Sequence, residues 1–278
     1  MFFERNSEKD RSRLIIGIGG WGTSTLALVF KHLGLRQNVE YIAIDTDRGI
    51  DHGDFQKNEW DDFKEKYLIK VPLLGMYGKW LQKHRSLFFR HFHKSYFNET
   101  REARGTGTQK EPQVAFILGL MNHKQIALAI KKAVENLAKK GANVEDWDNV
   151  IIIGGGGSAG RGLAVLTAAL VQENLKDYTN SPQMTICAYT RDCYEVKEQI
   201  ETDVEMNYIA FLREINYFMQ GKNSFRFEVP DNVNARREIH ASNFIHNFIP
   251  FSAISNSPRN VEFLIPPYQI PKNNPSDG

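Results

Sequence analysis

The chain has 278 residues, with 35 Lys+Arg against 33 Asp+Glu and a formal charge of +2. That length buries a core without staples, and 41% hydrophobic with 24% charged residues excludes wholesale disorder, collagen repeats and a disulfide scaffold. The balanced charge offers no long-range field for nucleic acid or an anionic membrane, and two cysteines, Cys187 and Cys193, cannot build a metal cage alone. No apolar run approaches the roughly 20 residues of a membrane helix. The first ten residues are too charged for a signal peptide, so a cytoplasmic protein with no membrane span is expected.

Taken in chain order, residues 1–12 read as a tail. Leu14-Ile15-Ile16-Gly17-Ile18 is a short apolar, β-branched run and reads as a buried strand. From Thr25 the spacing of Leu26, Val29, Phe30 and Leu33 predicts a helix, with Gly34 at its C-cap. Tyr41-Ile42-Ala43-Ile44 is a second strand, ending in Asp45-Thr46-Asp47. Together these form a β-α-β unit, which winds right-handed around a parallel sheet.

Residues 51–110 are less regular, with a helix expected over 76–94 and a polar loop over 101–112. A long helix is expected over 113–139, with Ile126, Ile130, Ala133, Val134 and Leu137 on its apolar stripe and Lys131, Lys132, Lys139 and Lys140 largely outside it. Val150-Ile151-Ile152-Ile153 is a buried strand that runs into four consecutive glycines. A helix over 160–174, a strand over 184–189 and a helix over 195–219 follow. Seven of the ten prolines lie beyond residue 220. Short strands and turns are expected over 221–270 and a disordered tail over 271–278. The expected fold is α/β, a three-layer Rossmann-like parallel sheet over 13–220 with a proline-rich C-terminal extension.

The 21 glycines carry the functional signal through their placement. Gly17-Ile18-Gly19-Gly20-Trp21-Gly22 follows a strand and opens a helix. Glycines allow a sharp turn and close approach of backbone to a diphosphate, and helix-start N–H groups face the anion. With Asp45 ending the second strand, this matches a dinucleotide fingerprint. Gly154 to Gly162, Gly-Gly-Gly-Gly-Ser-Ala-Gly-Arg-Gly, is a second loop in the same strand–turn–helix context. A Walker A reading fails, because Arg161 stands where lysine belongs and Gly162 where the magnesium-binding hydroxyl belongs. Arg104-Gly105-Thr106-Gly107-Thr108 is a smaller loop before a long helix, open to an anion-binding role or to a plain surface role.

In this order the segments resemble the nucleotide-binding half of the tubulin/FtsZ superfamily, with a look nearest to divergent bacterial tubulin-like proteins. The resemblance rests on Gly19-Gly20-Trp21-Gly22-Thr23, Asp45-Thr46-Asp47, Gly105-Thr106-Gly107 and Gly155-Gly156-Gly157-Ser158-Ala159-Gly160. Thr190-Arg191-Asp192-Cys193-Tyr194-Glu195 echoes a further family element, and in the family a helix resembling the stretch Asn207 to Glu214 follows it. The resemblance implies a GTP/GDP-binding protein, a slow GTPase or filament former, with Glu195 on the ribose and Asn207 in the nucleotide site. Gly19 to Gly22 and Gly155 to Gly160 are expected to hold the α- and β-phosphates and Gly105 to Gly107 to approach the γ-phosphate. Asp45 and Asp47 are expected near the phosphates or an Mg²⁺ held through water. Self-association or a partner protein is expected as well.

The chain departs from the family pattern at Ala159 and Arg161, and it ends before the family's central helix and activation domain would fit. Asn260-Val261-Glu262-Phe263 only faintly resembles the catalytic acidic loop, with Ile265 in place of its second acid. No catalytic residue is therefore assigned. Two alternatives stay open on the residues: a non-hydrolysing nucleotide-binding regulatory or assembly module, and a NAD/FAD-dependent oxidoreductase using the first loop and Asp45. His91 and His93, two apart, do not share a helix face and make a poor metal site. Asp61, Asp62 and Glu65 read as an exposed acidic face.

Overall fold

A computed structural model of the chain describes residues 11–33, 36–46, 68–103, 111–179, 182–190, 193, 198–231 and 235–251. Strands β1 (Arg11–Ile18), β2 (Val39–Asp45), β3 (Leu68–Pro72), β4 (Asn143–Gly154), β5 (Gln183–Tyr189) and β8 (Asn247–Phe251) form one sheet in the order β3-β2-β1-β4-β5-β8. All five pairings are parallel. Parallel strands covered on both faces are apolar throughout rather than alternating, and every residue of β2 is buried, Glu40 and Asp45 included.

Helix α1 (Gly19–Leu33) covers one face of the sheet, where Leu26 packs with Ile15, Tyr41, Ala43, Ile152 and Cys187. The opposite face, with Leu14, Ile16, Ile42, Ile44, Ile151, Ile153 and Ile186, is covered by α4 (Pro112–Met121), α5 (His123–Lys139), α6 (Ser158–Leu175) and α7 (Glu198–Met219). The expected three-layer α/β parallel sheet is therefore what the chain forms. The two crossovers explain the layering. From β1 the chain moves to β2 in one direction, and from β4 to β5 in the other. Right-handed crossovers in opposite directions put α1 and α6 on opposite faces.

Several boundaries differ from the sequence reading. Strand β3 was not foreseen, because Leu68-Ile69-Lys70-Val71-Pro72 is short and charged; its partner is β2, from Tyr41 opposite Leu68 to Asp45 opposite Pro72. The helix over 76–94 is instead α2 (Tyr77–Lys83) and α3 (Arg85–Phe88), parted at His84 (φ −109°, ψ 30°) where Trp80 stacks on Phe88 at 4.8 Å. A 3-10 turn follows at Lys94–Phe97.

The long helix over 113–139 is two helices. Asn122 (φ −107°, ψ 17°) donates both its backbone N–H and its side-chain Nδ2 to the Leu118 carbonyl, at 3.0 and 2.8 Å. There α4 ends, and α5 restarts with Gln125 N–H donating to Asn122 O at 2.9 Å. On α5 the apolar stripe is buried as expected, and Lys131, Lys132 and Lys139 are exposed. Lys140, just beyond the helix, instead pairs with Glu40, which is 5% exposed and also accepts from Asn136 Nδ2 at 3.1 Å.

Beyond residue 220 the chain forms the antiparallel hairpin β6 (Ser224–Pro230) and β7 (Arg236–Ser242), then β8. The hairpin is strapped to α6: Gln172 Nε2 donates to Ser242 O at 2.9 Å, and Arg237 pairs with Glu173 at 2.8 Å. Strand β8 lies beside β5 as the sixth strand of the main sheet, and Pro250 sits in it opposite Ala188. A proline is compatible with that place because β8 is an edge strand, where a missing N–H breaks no ladder bond. Residues 252–278, including five prolines and Asn260 to Phe263, lie outside the described residues.

Candidate functional site

In the sheet order, β1 and β4 are neighbours whose outgoing helices leave to opposite faces. Such a switch point opens a crevice beyond the C-terminal strand ends, where open α/β sheets bind ligands. Register places Ile18 of β1 opposite Ile153 of β4, so the two glycine loops start side by side. At the closest approach, a Cβ on Gly19 would stand 3.0 Å from Ala159 Cβ.

The first loop is the first turn of a helix, since α1 begins at Gly19, six residues before Thr25. Gly19 has φ +69°, a left-handed conformation that glycine adopts without strain. The other glycines divide into two kinds. A Cβ on Gly17 would collide with Gly22 O, and one on Gly22 with Ile152 O, so both serve the close crossing of α1 over β1 and β4. A Cβ on Gly20 would meet nothing within 4 Å. Only Gly20 therefore has space in front of it that packing does not claim. Thr23 is fully buried, and its Oγ1 donates back to Gly19 O at 2.9 Å, which holds the turn rather than presenting a hydroxyl to the crevice.

The second loop is drawn tight by two backbone bonds. Gly155 N–H donates to Tyr189 O at 3.0 Å, and Gly157 N–H to Gly154 O at 3.0 Å. Gly157 is the N-cap of α6, with extended backbone and no side-chain cap. Ser158, Ala159 and Gly160 form the first turn. Neither α1 nor α6 carries an acidic residue in its first turn. The first-turn N–H groups of a helix lack intrahelical acceptors and carry partial positive charge. Two such termini without compensating acids converge here, an arrangement that favours an anion.

The far wall is α7. A Cβ on Gly155 would lie 2.7 Å from the Tyr208 ring, and Gly156 is in equally close contact with Val204. Arg161, one turn into α6, turns to this wall: its Nη1 donates to Asn207 Oδ1 at 2.8 Å. Burial lowers the Arg161 pKa and raises that of Glu214, and the attraction between the two opposes both shifts. Asn207 thus sits beside the second loop, held by Arg161. Gly162, the last glycine of the run, packs against Pro112 and Ala115 of α4 and has no place at the crevice.

Asp45 ends β2 next to the first loop and is 6% exposed. Its Oδ1 accepts the Thr46 N–H at 2.7 Å, and its carbonyl accepts the Leu73 N–H at 2.7 Å. Asp47, Gly105, Thr106, Gly107 and Glu195 lie outside the described residues, as do Asp61, Asp62 and Glu65. Among the described residues no group of three or more His, Cys, Asp or Glu side chains is arranged to hold a metal. His93 Nδ1 is engaged by Ser95 Oγ at 2.8 Å and His91 lies against Phe227. No helix among them is long and apolar enough to cross a membrane.

Sequence reading missed Tyr189. It ends β5, its carbonyl anchors the second loop, and its ring lies 5.1 Å from that of Trp21. The usable signal was its place as the last residue of a strand, at the edge where ligands bind.

No family model matches the chain, and no curated protein is significantly similar to it. Among solved structures it is similar to an empty FtsZ dimer from M. jannaschii, at 15% identity over 76% of this chain and 46% of that one, with a TM-score of 0.43. It is also similar to the W319Y mutant of M. jannaschii FtsZ, at 16% identity over 79% of this chain and 60% of that one, with a TM-score of 0.34. A third similarity is to CetZ2 from Haloferax volcanii in a GTPγS-bound protofilament, at 14% identity over 77% of this chain and 67% of that one, with a TM-score of 0.36. The chain thus spans about half the length of the first of these structures.

Proposed function

We propose that this chain is a tubulin/FtsZ-like protein that binds a guanine nucleotide at the β1/β4 switch point. The observation that carries the reading is the meeting of two glycine-rich strand-to-helix turns whose helix starts are free of acids. A dinucleotide fold needs one such turn; two cradle a phosphate chain from both sides. The open space before Gly20 is the cradle that a side chain would fill. In this reading the backbone of Gly19, Gly20, Trp21 and Gly22 faces the α- and β-phosphates from one side. Gly155 to Gly160 face them from the other, and Gly105 to Gly107 approach the γ-phosphate. Asp45 and Asp47 would lie near the phosphates or an Mg²⁺ held through water, and Glu195 would take the ribose. Asn207 acts on the second loop through Arg161. The guanine preference rests on the motif resemblance alone.

Bound Mg²⁺ would neutralise phosphate charge; the chain's own groups bind and orient the nucleotide. No residue is assigned to the hydrolytic step. Self-association into filaments is part of the same proposal, and sedimentation with and without GTP separates a filament former from a non-assembling module.

The test is the identity of any nucleotide released from purified, denatured protein by mass, followed by calorimetric titration of stripped protein with GTP, GDP, ATP and NAD. Guanine nucleotide binding supports the proposal. Binding of NAD or FAD in its place overturns it in favour of an oxidoreductase, and binding of none of them overturns it outright.

A further inference from the structure

One large aromatic side chain at the crevice is only partly buried. Trp21 lies in the first turn of α1 and keeps 43% of its surface exposed. Tryptophan carries the largest apolar surface of any side chain, and exposing it beside a ligand crevice forfeits burial that folding would otherwise use. Its ring is nevertheless held in place. It lies 5.1 Å from the Tyr189 ring at an interplanar angle of 45°.

Tyr189 is itself fixed. It is 9% exposed, its phenol oxygen accepts from Thr25 Oγ1 at 3.0 Å, and its ring lies 5.7 Å from Phe251 of β8. Burial raises its pKa, so the phenol stays neutral. The rings of Trp21, Tyr189 and Phe251 thus form a row along the C-terminal strand ends, on the α1 side of the sheet.

The row starts beside the phosphate crevice. Trp21 shares a helical turn with Gly20, and the Tyr189 carbonyl holds the Gly155 N–H. Adjacent strands are about 4.8 Å apart, so the row begins about one strand spacing from the β1/β4 crevice. A nucleotide held by its diphosphate in the crevice would meet the Trp21 ring if its ribose and base extend toward β5.

We propose that Trp21, backed by Tyr189, is the stacking platform for the nucleobase of the bound nucleotide. The inference rests on the phosphate-binding reading above and extends it to the other end of the ligand. Stacking uses the π-face, which every base has, and the indole offers one donor and no acceptor. The platform therefore supplies affinity for a purine nucleotide without choosing between guanine and adenine.

The test compares GDP with inorganic pyrophosphate, which has the phosphates and no base, on nucleotide-stripped full-length protein. Three forms are titrated calorimetrically: wild type, Trp21→Ala and Trp21→Phe. Trp21→Ala keeps the backbone N–H and is expected to weaken GDP about tenfold or more, with a several-fold smaller effect on pyrophosphate. Trp21→Phe is expected to retain most of the GDP affinity, and the change in indole emission on adding GDP is expected to disappear with it.

Equal losses for GDP and pyrophosphate in Trp21→Ala, or no loss of GDP, overturn the platform and leave the phosphate site standing. Wild-type protein that binds neither probe overturns the phosphate site, and the platform with it. Both variants are checked by thermal unfolding, and Trp21→Phe, which keeps an aromatic ring, reports on stacking even if Trp21→Ala fails to fold.

Discussion

The guanidinium of Arg161 reaches from the first turns of α6 to Asn207 on α7, Nη1 to Oδ1 at 2.8 Å. Behind it stands Glu214, whose carboxyl pKa is raised by burial and held back by the same arginine. The residue that breaks the Walker pattern in sequence is thus the clamp between the second glycine loop and its far wall.

Removing Asn207 leaves a half-buried guanidinium short of one acceptor. Hydrogen bonds to charged groups contribute about 1.5–3 kcal/mol, so Asn207→Ala is expected to lower unfolding stability by about that amount. A double-mutant cycle with Arg161→Ala in urea should return coupling of about 1 kcal/mol or more, because the residues share one bond. Additive losses would show that the bond carries nothing.

The two loops answer differently to an added methyl. At Gly20 a Cβ meets open space. Gly20→Ala is expected to leave the fold intact and raise the melting temperature slightly, since Ala favours a helix over Gly by about 1 kcal/mol. It is also expected to weaken nucleotide by crowding the phosphates. At Gly156 the Cβ runs into Val204, so Gly156→Ala is expected to lower stability by about 1–3 kcal/mol, as overpacking does. Thermal unfolding and GDP titration of the two variants check both halves.

Acid should weaken the protein through histidines as well as carboxylates. His246 Nδ1 accepts the Met184 N–H at 3.1 Å, and burial lowers its pKa below 6.5. His123, 3% exposed with its Nδ1 2.8 Å from Leu120 O, is lowered for the same first reason. A lowered folded pKa means that the unfolded chain binds the proton more readily. Stability is then full above the unfolded value of about 6.5 and falls as pH drops below it. Chemical denaturation between pH 7.5 and 5 should show this loss, and His246→Gln should flatten it.

Hydrolysis by the isolated chain is expected to be slow. The stretch Asn260 to Phe263 carries one acid, Glu262, with Ile265 where the resemblance calls for a second, so GTP turnover is expected far below the about 10 s⁻¹ of a typical enzyme. Phosphate release from monomeric protein measures it, and turnover near that figure would contradict this expectation.

Much of this was legible in the residues. The apolar runs at 14–18, 41–44, 150–153 and 184–189 became strands because short, largely apolar runs rich in β-branched residues suit a sheet covered on both faces, and glycines at strand ends marked the turns. What was not legible depends on partners distant in sequence. Strand β3 is too short and charged to stand out until β2 offers it an edge. The break at Asn122 is a local change of backbone conformation (φ −107°, ψ 17°), which a 3.6-residue period does not register.

The glycine surplus divides along the same line. By itself the sequence determined that glycines gather after two buried strands and before two helices, because sharp turns into helices admit little else. Only the tertiary structure decided which of them are packed against neighbours and which face open space. Gly17, Gly22, Gly155, Gly156, Gly160 and Gly162 are occupied by close backbone or side-chain neighbours, while Gly20 faces open space. It also decided that Trp21 meets Tyr189 across 168 positions of chain and that Arg161 turns to Asn207. Such pairings are set by strand order and crossover hand, properties of the assembled sheet that no local run of residues carries.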